Sequence, residues 1–201
     1  ALQGLAEAQY NLAVMHREGL GPVNQAEARR LYGLAAEQGF AEAQNDLGMM
    51  HLKGEGGPQN YKEARRQFKL AVDQGHAKAQ YNLSSMHLNG DGGPKDFAEG
   101  RRLLGLAAEQ GDAEAQFNLG LMHEEGEGGP VNFVEARRLF ELAAGQGFAL
   151  AQCNLGLMHV NGDGGPKNFA EARRLFGLAA EQGDAAALYS LGLMHAMGDG
   201  G

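Results

Sequence analysis

The sequence predicts an all-α solenoid built from antiparallel helix-hairpin repeats, on three observations. Gln44, Gln80, Gln116 and Gln152 follow one another at a 36-residue interval, and Leu188 takes the next place. Inside each interval apolar residues recur three and four positions apart, the spacing of one buried helical stripe. Glycine stops and helix-start signatures fall in the same register every time. A period of this size marks units that bury apolar surface against their neighbours, with no single central core. The 201 residues therefore read as one elongated module with its function on an extended surface.

Each unit supplies two helices. In residues 40–75 the first carries Ala43, Leu47, Met50 and His51 on its buried stripe and ends at Gly54. The loop Gly54-Glu55-Gly56-Gly57-Pro58 follows; its counterpart Gly19-Leu20-Gly21-Pro22 is one residue shorter, which places Gln9 35 residues before Gln44. Next comes Asn60-Tyr61-Lys62-Glu63, in which Asn60 accepts from first-turn amides while Glu63 reaches back, a capping box. Asn24/Glu27, Asp96/Glu99, Asn132/Glu135 and Asn168/Glu171 repeat it. The second helix buries Ala64, Phe68 and Ala71 and ends at Gly75, as its equivalents end at Gly39, Gly111, Gly147 and Gly183. The short connection to the next helix makes neighbours antiparallel. Small residues at matched places, Ala13, Gly48, Ser84, Gly120, Gly156 and Gly192, let helix axes approach closely.

The segment Ala113-Glu114-Ala115-Gln116-Phe117-Asn118-Leu119-Gly120-Leu121-Met122-His123 leads into Gly126-Glu127-Gly128-Gly129-Pro130 and then Glu135-Ala136-Arg137-Arg138-Leu139-Phe140. This unit closely resembles the Sel-one-like repeat (SLR), a branch of the tetratricopeptide-like α-solenoids. The resemblance covers nearly the whole chain: 1–4 end a preceding repeat, 5–39, 40–75, 76–111, 112–147 and 148–183 are repeats, and 184–201 is the first half of a sixth. It implies a right-handed superhelical α-solenoid whose first helices line a concave groove. Histidine (His16, His51, His87, His123, His159, His195) stands where the family usually has tyrosine. The paired cysteines of the family's cysteine-rich bacterial branch are absent, so that branch's antibiotic binding is not implied.

Composition narrows the partners. Lys+Arg 17 against Asp+Glu 25 gives a formal charge of -8, which argues against nucleic acid or anionic lipid, although ten of the basic residues form five Arg pairs. No run approaches the roughly 18 apolar residues of a membrane span. The lone Cys153 excludes an internal disulfide framework and slightly favours a reducing compartment such as the cytoplasm; localisation is otherwise open. The chain starts and stops inside the array, which predicts end-to-end association that buries Leu191 and Met194 of the last helix.

Four features compete for a chemical role. The histidine column invites a metal, but equivalent side chains one helix-packing distance apart, about 8–10 Å, do not converge on one ion. The favoured reading packs them between helices with one ring nitrogen bonded to an acceptor, so that protonation near pH 6 loosens the array. The loops Gly90-Asp91-Gly92-Gly93-Pro94 and Gly162-Asp163-Gly164-Gly165-Pro166 lack the ligand pattern of an EF-hand and the ending of a phosphate loop, and read as helix stops. In the Arg pairs 29/30, 65/66, 101/102, 137/138 and 173/174 the second arginine follows a glutamate by three residues, which favours a solvated ion-paired face over a phosphate-binding stripe. No catalytic constellation is present in the sequence, and neither metal nor cofactor is implied.

The groove implied by the resemblance is the expected site. Asn11, Asp46, Asn82, Asn118, Asn154 and Ser190 form one column facing it; Tyr10, Asn45, Tyr81, Phe117, Cys153 and Tyr189 form the next. Amides can pair with an extended peptide backbone, and aromatics offer pockets for its side chains. The Asn column is equally consistent with bonding the next unit, whereas the variation of the second column favours recognition. Val14, Met49, Ser85, Leu121, Leu157 and Leu193 extend an apolar floor. The expected function is a non-enzymatic adaptor for a peptide or protein surface; the alternative is a structural spacer.

Overall fold

The computed structural model describes residues 2–19 and 23–197. Leu20-Gly21-Pro22 of the shortened loop, Ala1 and residues 198–201 lie outside the described residues. Among those described, every regular element is a helix: α1 (Leu2–Glu18), α2 (Gln25–Glu37), α3 (Ala41–Lys53), α4 (Tyr61–Val72), α5 (Ala77–Asn89), α6 (Phe97–Glu109), α7 (Ala113–Glu125), α8 (Phe133–Gly145), α9 (Ala149–Asn161), α10 (Phe169–Glu181) and α11 (Ala185–Met197). Contacts divide the chain into two compact units, Ala1–Leu103 and Leu104–Gly201, the division falling within α6. The first helices α3 and α9 each pack more densely on the second helix of their own hairpin than on the second helix before it.

Local chemistry sets the helix ends. Asn60 Oδ1 accepts from the Glu63 amide at 3.1 Å, and Asn24, Asp96, Asn132 and Asn168 do the same at 3.0–3.1 Å. The other half of the expected capping box does not form. The cap amide donates instead to the carbonyl of the histidine on the preceding helix, as Asn60 does to His51 at 2.8 Å, and each glutamate turns to the arginine one turn on, as in Arg66 to Glu63 at 2.7 Å. First helices end on left-handed glycines, Gly54, Gly90, Gly126 and Gly162, at φ 73–85°.

The rest of each loop serves the hairpin before it. Gly56 and Gly164 have φ of 69° and 67°, and a Cβ on either would stand 2.2 Å from the carbonyl oxygen of Gln25 or Phe133, at the start of the preceding second helix. The glycine one place on leaves room for an arginine: a Cβ on Gly57 would meet Arg29 Nη1 at 2.6 Å, and one on Gly165 would meet Arg137 Nη1 at 2.5 Å. The glycine loop is thus a docking platform as well as a helix stop.

The core repeats with the sequence. Tyr32 and Phe68 in one unit and Phe140 and Phe176 in the other are fully buried. Each phenylalanine packs closely against a glycine: a Cβ would come within 2.7 Å of Phe68 at Gly48, and within 2.6 Å of Phe140 at Gly120 and of Phe176 at Gly156. Gly192 on α11 has open space around it and no such role among the described residues. Ser84 replaces glycine in the third hairpin, and its hydroxyl donates to the Gly100 carbonyl at 2.8 Å where the other hairpins carry alanine.

Candidate functional site

Joints between hairpins reuse the same polar side chains, except that Leu188 replaces the glutamine at the last one. Gln44 donates to the last-turn Ala36 carbonyl of α2 at 3.2 Å and accepts from Gln74 at 2.8 Å. Gln116 and Gln152 repeat this with Ala108 and Gln146, and with Ala144 and Gln182. The recurring glutamine therefore adds a second hydrogen bond to a helix-end carbonyl that already accepts from the glycine amide three residues on, as Ala36 does from Gly39 at 2.9 Å, and ties the joint to the end of its own second helix.

The first arginine of each pair is not on a solvated face. Arg29, Arg65 and Arg137 reach into the next hairpin and place Nη2 2.5, 2.6 and 2.7 Å from Nδ1 of His51, His87 and His159. Arg29 also donates to the Glu55 and Pro58 carbonyls at 3.2–3.3 Å, and Arg137 to those of Asp163 and Pro166 at 3.4–3.5 Å. The histidines are indeed packed between helices, but their partner is a donor, so the ring must be neutral to accept. Burial first, and the neighbouring guanidinium second, hold the three imidazoles below the usual histidine value. The second arginines do stand in solvent, where their hydrogen bonds hold the partner glutamates below the usual carboxylate range.

On the first-helix face of the unit Ala1–Leu103, polar groups are bonded to one another. Tyr10 Oη donates to Asp46 at 3.2 Å, Asn45 donates to Asp46 at 3.1 Å, and Asn82 donates to Asn45 at 2.9 Å, a row that runs through α1, α3 and α5. Desolvation, then Asp46, raises the Tyr10 phenol, which stays protonated. Asn11 is exposed, Asp46, Met49, Tyr81 and Asn82 are partly exposed, and Asn45 is buried.

The unit Leu104–Gly201 presents a different first-helix face. Leu150, Leu157, Tyr189 and Leu193 are exposed, Tyr189 by 69%, and Leu121 is partly exposed. Asn118 and Asn154 are partly exposed; Asn154 donates to the Leu150 carbonyl of its own helix at 3.0 Å. Leu150 and Ala186 occupy places held by Glu42 and Lys78 in the first unit.

The second column needs correction. Phe117 and Cys153 are buried along with Asn45, so these three are packing residues and not groove residues. Phe117 lies between Phe140 and Phe148 with ring centroids 5.7 and 5.3 Å away, and Tyr10 lies 5.2 Å from Phe40. Cys153 is bonded to Asp184, and burial with that carboxylate pushes its thiol up to about 11. Phe40, Phe148 and Asp184 all begin the next hairpin. Where that position is Asp112 or Asp184 it caps the helix, accepting at 2.8 Å; where it is Phe40 or Phe148 the cap bond is absent and ring packing replaces it. The column varies because its packing partner varies, which is why variation misled the expectation of recognition.

Short glycine-stopped hairpins, joints repeated side chain for side chain, and a varied first-helix face define a helical-repeat scaffold protein. The chain belongs to the Sel1 repeat family: the model of that repeat matches residues 6–40, 41–76, 77–112, 113–148, 149–184 and 185–201. Members are generally protein–protein interaction scaffolds. Among solved structures it is similar to a protective antigen of uropathogenic Escherichia coli displaying an SLR fold, at 32% identity and TM-score 0.94 over 98% of this chain and 42% of that one. A Sel1 repeat protein from Oxalobacter formigenes matches at 30% identity and TM-score 0.86 over 98% of this chain and 78% of its own. An immunity protein from Pseudomonas aeruginosa shares the fold at 22% identity and TM-score 0.55, over 92% of this chain and 68% of that one. The chain thus spans less than half of the antigen's length. No curated protein matches the sequence significantly.

Proposed function

We propose that the protein is a non-enzymatic adaptor whose first-helix faces hold an extended segment of a partner protein. The observation that carries this reading is the exposed leucine face of α9 and α11, where Leu150, Leu157 and Leu193 are each more than 40% exposed beside partly exposed Asn154. Leucines exposed to this extent offer apolar surface to a partner, and an amide beside them can pair with a peptide backbone. In the first unit, Asn11, Asp46, Met49, Tyr81 and Asn82 are the groups a partner would meet. Among the described residues no helix is long and apolar enough to cross a membrane, and a protein or peptide remains the partner class that suits both faces.

A displayed library of random peptides, panned against the folded protein, tests the reading. Enriched peptides are expected to lose most of their affinity for Leu157→Asp while circular dichroism stays unchanged. Full affinity for that variant would remove the face from the proposal, and a library that enriches nothing would favour the spacer.

A further inference from the structure

The second helices carry a cleft that the adaptor reading does not use. It lies between α4 and α6, has a volume of about 490 Å³, and is walled by Lys62, Arg65, Arg66, Lys69 and Arg102 over a floor of Val72, Leu83 and Leu103. In a chain of net charge -8 this is a concentration of positive charge.

The equivalent clefts are different. Those between α2 and α4, between α6 and α8, and between α8 and α10 each set one arginine against two glutamates, as Arg66 stands against Glu37 and Glu63. The difference comes from two residues of one helix. Lys62 stands where the other hairpins have Ala26, Ala98, Val134 and Ala170, and Lys69 where they have Gly33, Gly105, Glu141 and Gly177.

Existing contacts do not use up this charge. Arg66 is paired with Glu63 and Arg102 with Glu99, both at 2.7 Å, and Arg65 faces the neutral ring of His87 at 2.6 Å. Among the described residues Lys62 and Lys69 enter no ion pair, so they and Arg65 face one remaining carboxylate of the lining, Asp73. Both lysines are exposed on the surface of α4.

We propose that this cleft binds an extended acidic segment of a partner protein, with carboxylates along Lys62, Arg65 and Lys69 and an apolar side chain on the leucine floor. The length of the cationic row selects this ligand over a compact anion. Lys62 and Lys69 are seven residues apart, about 10 Å along a helix, a span that about three residues of extended chain cover. A single phosphate would engage one end of the row and leave the other uncompensated.

The test uses a labelled, end-blocked peptide of alternating glutamate and leucine, which in extended form puts its carboxylates on one side and its leucines on the other. Fluorescence anisotropy should show one peptide per chain, with affinity falling as salt rises. The double variant Lys62→Gln/Lys69→Gln should weaken it by about tenfold, with helicity unchanged because neither lysine holds a structural bond. Binding unaffected by Leu157→Asp would separate this site from the first-helix face. Wild-type affinity in the double variant, or no binding even at low salt, would overturn the proposal. Displacement of the peptide by equimolar inorganic phosphate would overturn it in favour of a compact-anion site.

Discussion

The two units share their joints and differ in the faces they offer. In Ala1–Leu103 the first helices present a polar row, Tyr10, Asp46, Asn45 and Asn82, already hydrogen-bonded to itself. In Leu104–Gly201 they present exposed leucines, including Leu150, Leu157 and Leu193. Beneath both faces lie the same ring-on-glycine contacts and the same glutamine and arginine ties. The fold therefore tolerates wide change on one side of each first helix, provided the other side keeps its register, and this separation lets one repeated unit present different chemistries along its length.

The strongest challenge to the claim of a shared interior is a cavity made in each unit. Phe68→Ala and Phe140→Ala should each cost about 3–5 kcal/mol in urea unfolding, because both rings are fully buried against a glycine. A loss confined to one unit would show that the interiors are not equivalent.

The paired arginines sharpen the comparison at the joints. Arg137→Ala removes bonds from a buried guanidinium to His159 and to two loop carbonyls, and should cost about 1.5–3 kcal/mol, with Arg65→Ala behaving alike in the first unit. Arg138→Ala, which loses a half-exposed ion pair, should cost less than about 1 kcal/mol. Equal costs for neighbours 137 and 138 would contradict the division of roles.

Acid should weaken the joints of both units together. His51, His87 and His159 resist protonation when folded, because of burial and the adjacent guanidinium, while the unfolded chain takes up a proton near pH 6.5. Glu63 acts in the opposite direction on His51 but is outweighed. Stability from these groups is complete above the unfolded value and declines as pH falls below it toward the lower folded values. The melting temperature should be lower at pH 5.5 than at 7.5, and should depend less on pH in His51→Gln/His159→Gln. An unchanged melting temperature across that range would refute the neutral-ring account.

These joints mark the limit of what the sequence reveals. Hairpins, asparagine caps and glycine stops are legible because each is decided within a few residues, as at Asn60 and Gly54. The second arginine of each pair was also legible, from a glutamate three residues before it. The first was not, since its partner lies 22 residues away and a local pattern cannot tell which of two adjacent cations turns inward. Phe117 was misread for a related reason: its burial depends on Phe148, which begins the next hairpin, and only the packed joint brings the two together. The glycine pairs of the loops carried a usable signal, because the repeated second glycine, as at Gly57 and Gly165, marks the space the arginine fills.

The separation of face from interior is tested most directly by giving the first unit the second unit's residues. Met49→Leu/Ser85→Leu copies the leucine found at 121, 157 and 193 onto partly exposed positions of α3 and α5. The expected result is an unchanged melting temperature together with new binding of the peptides that the leucine face of α9 and α11 selects. A marked fall in melting temperature, or a peptide preference identical to that of the parent protein, would contradict it.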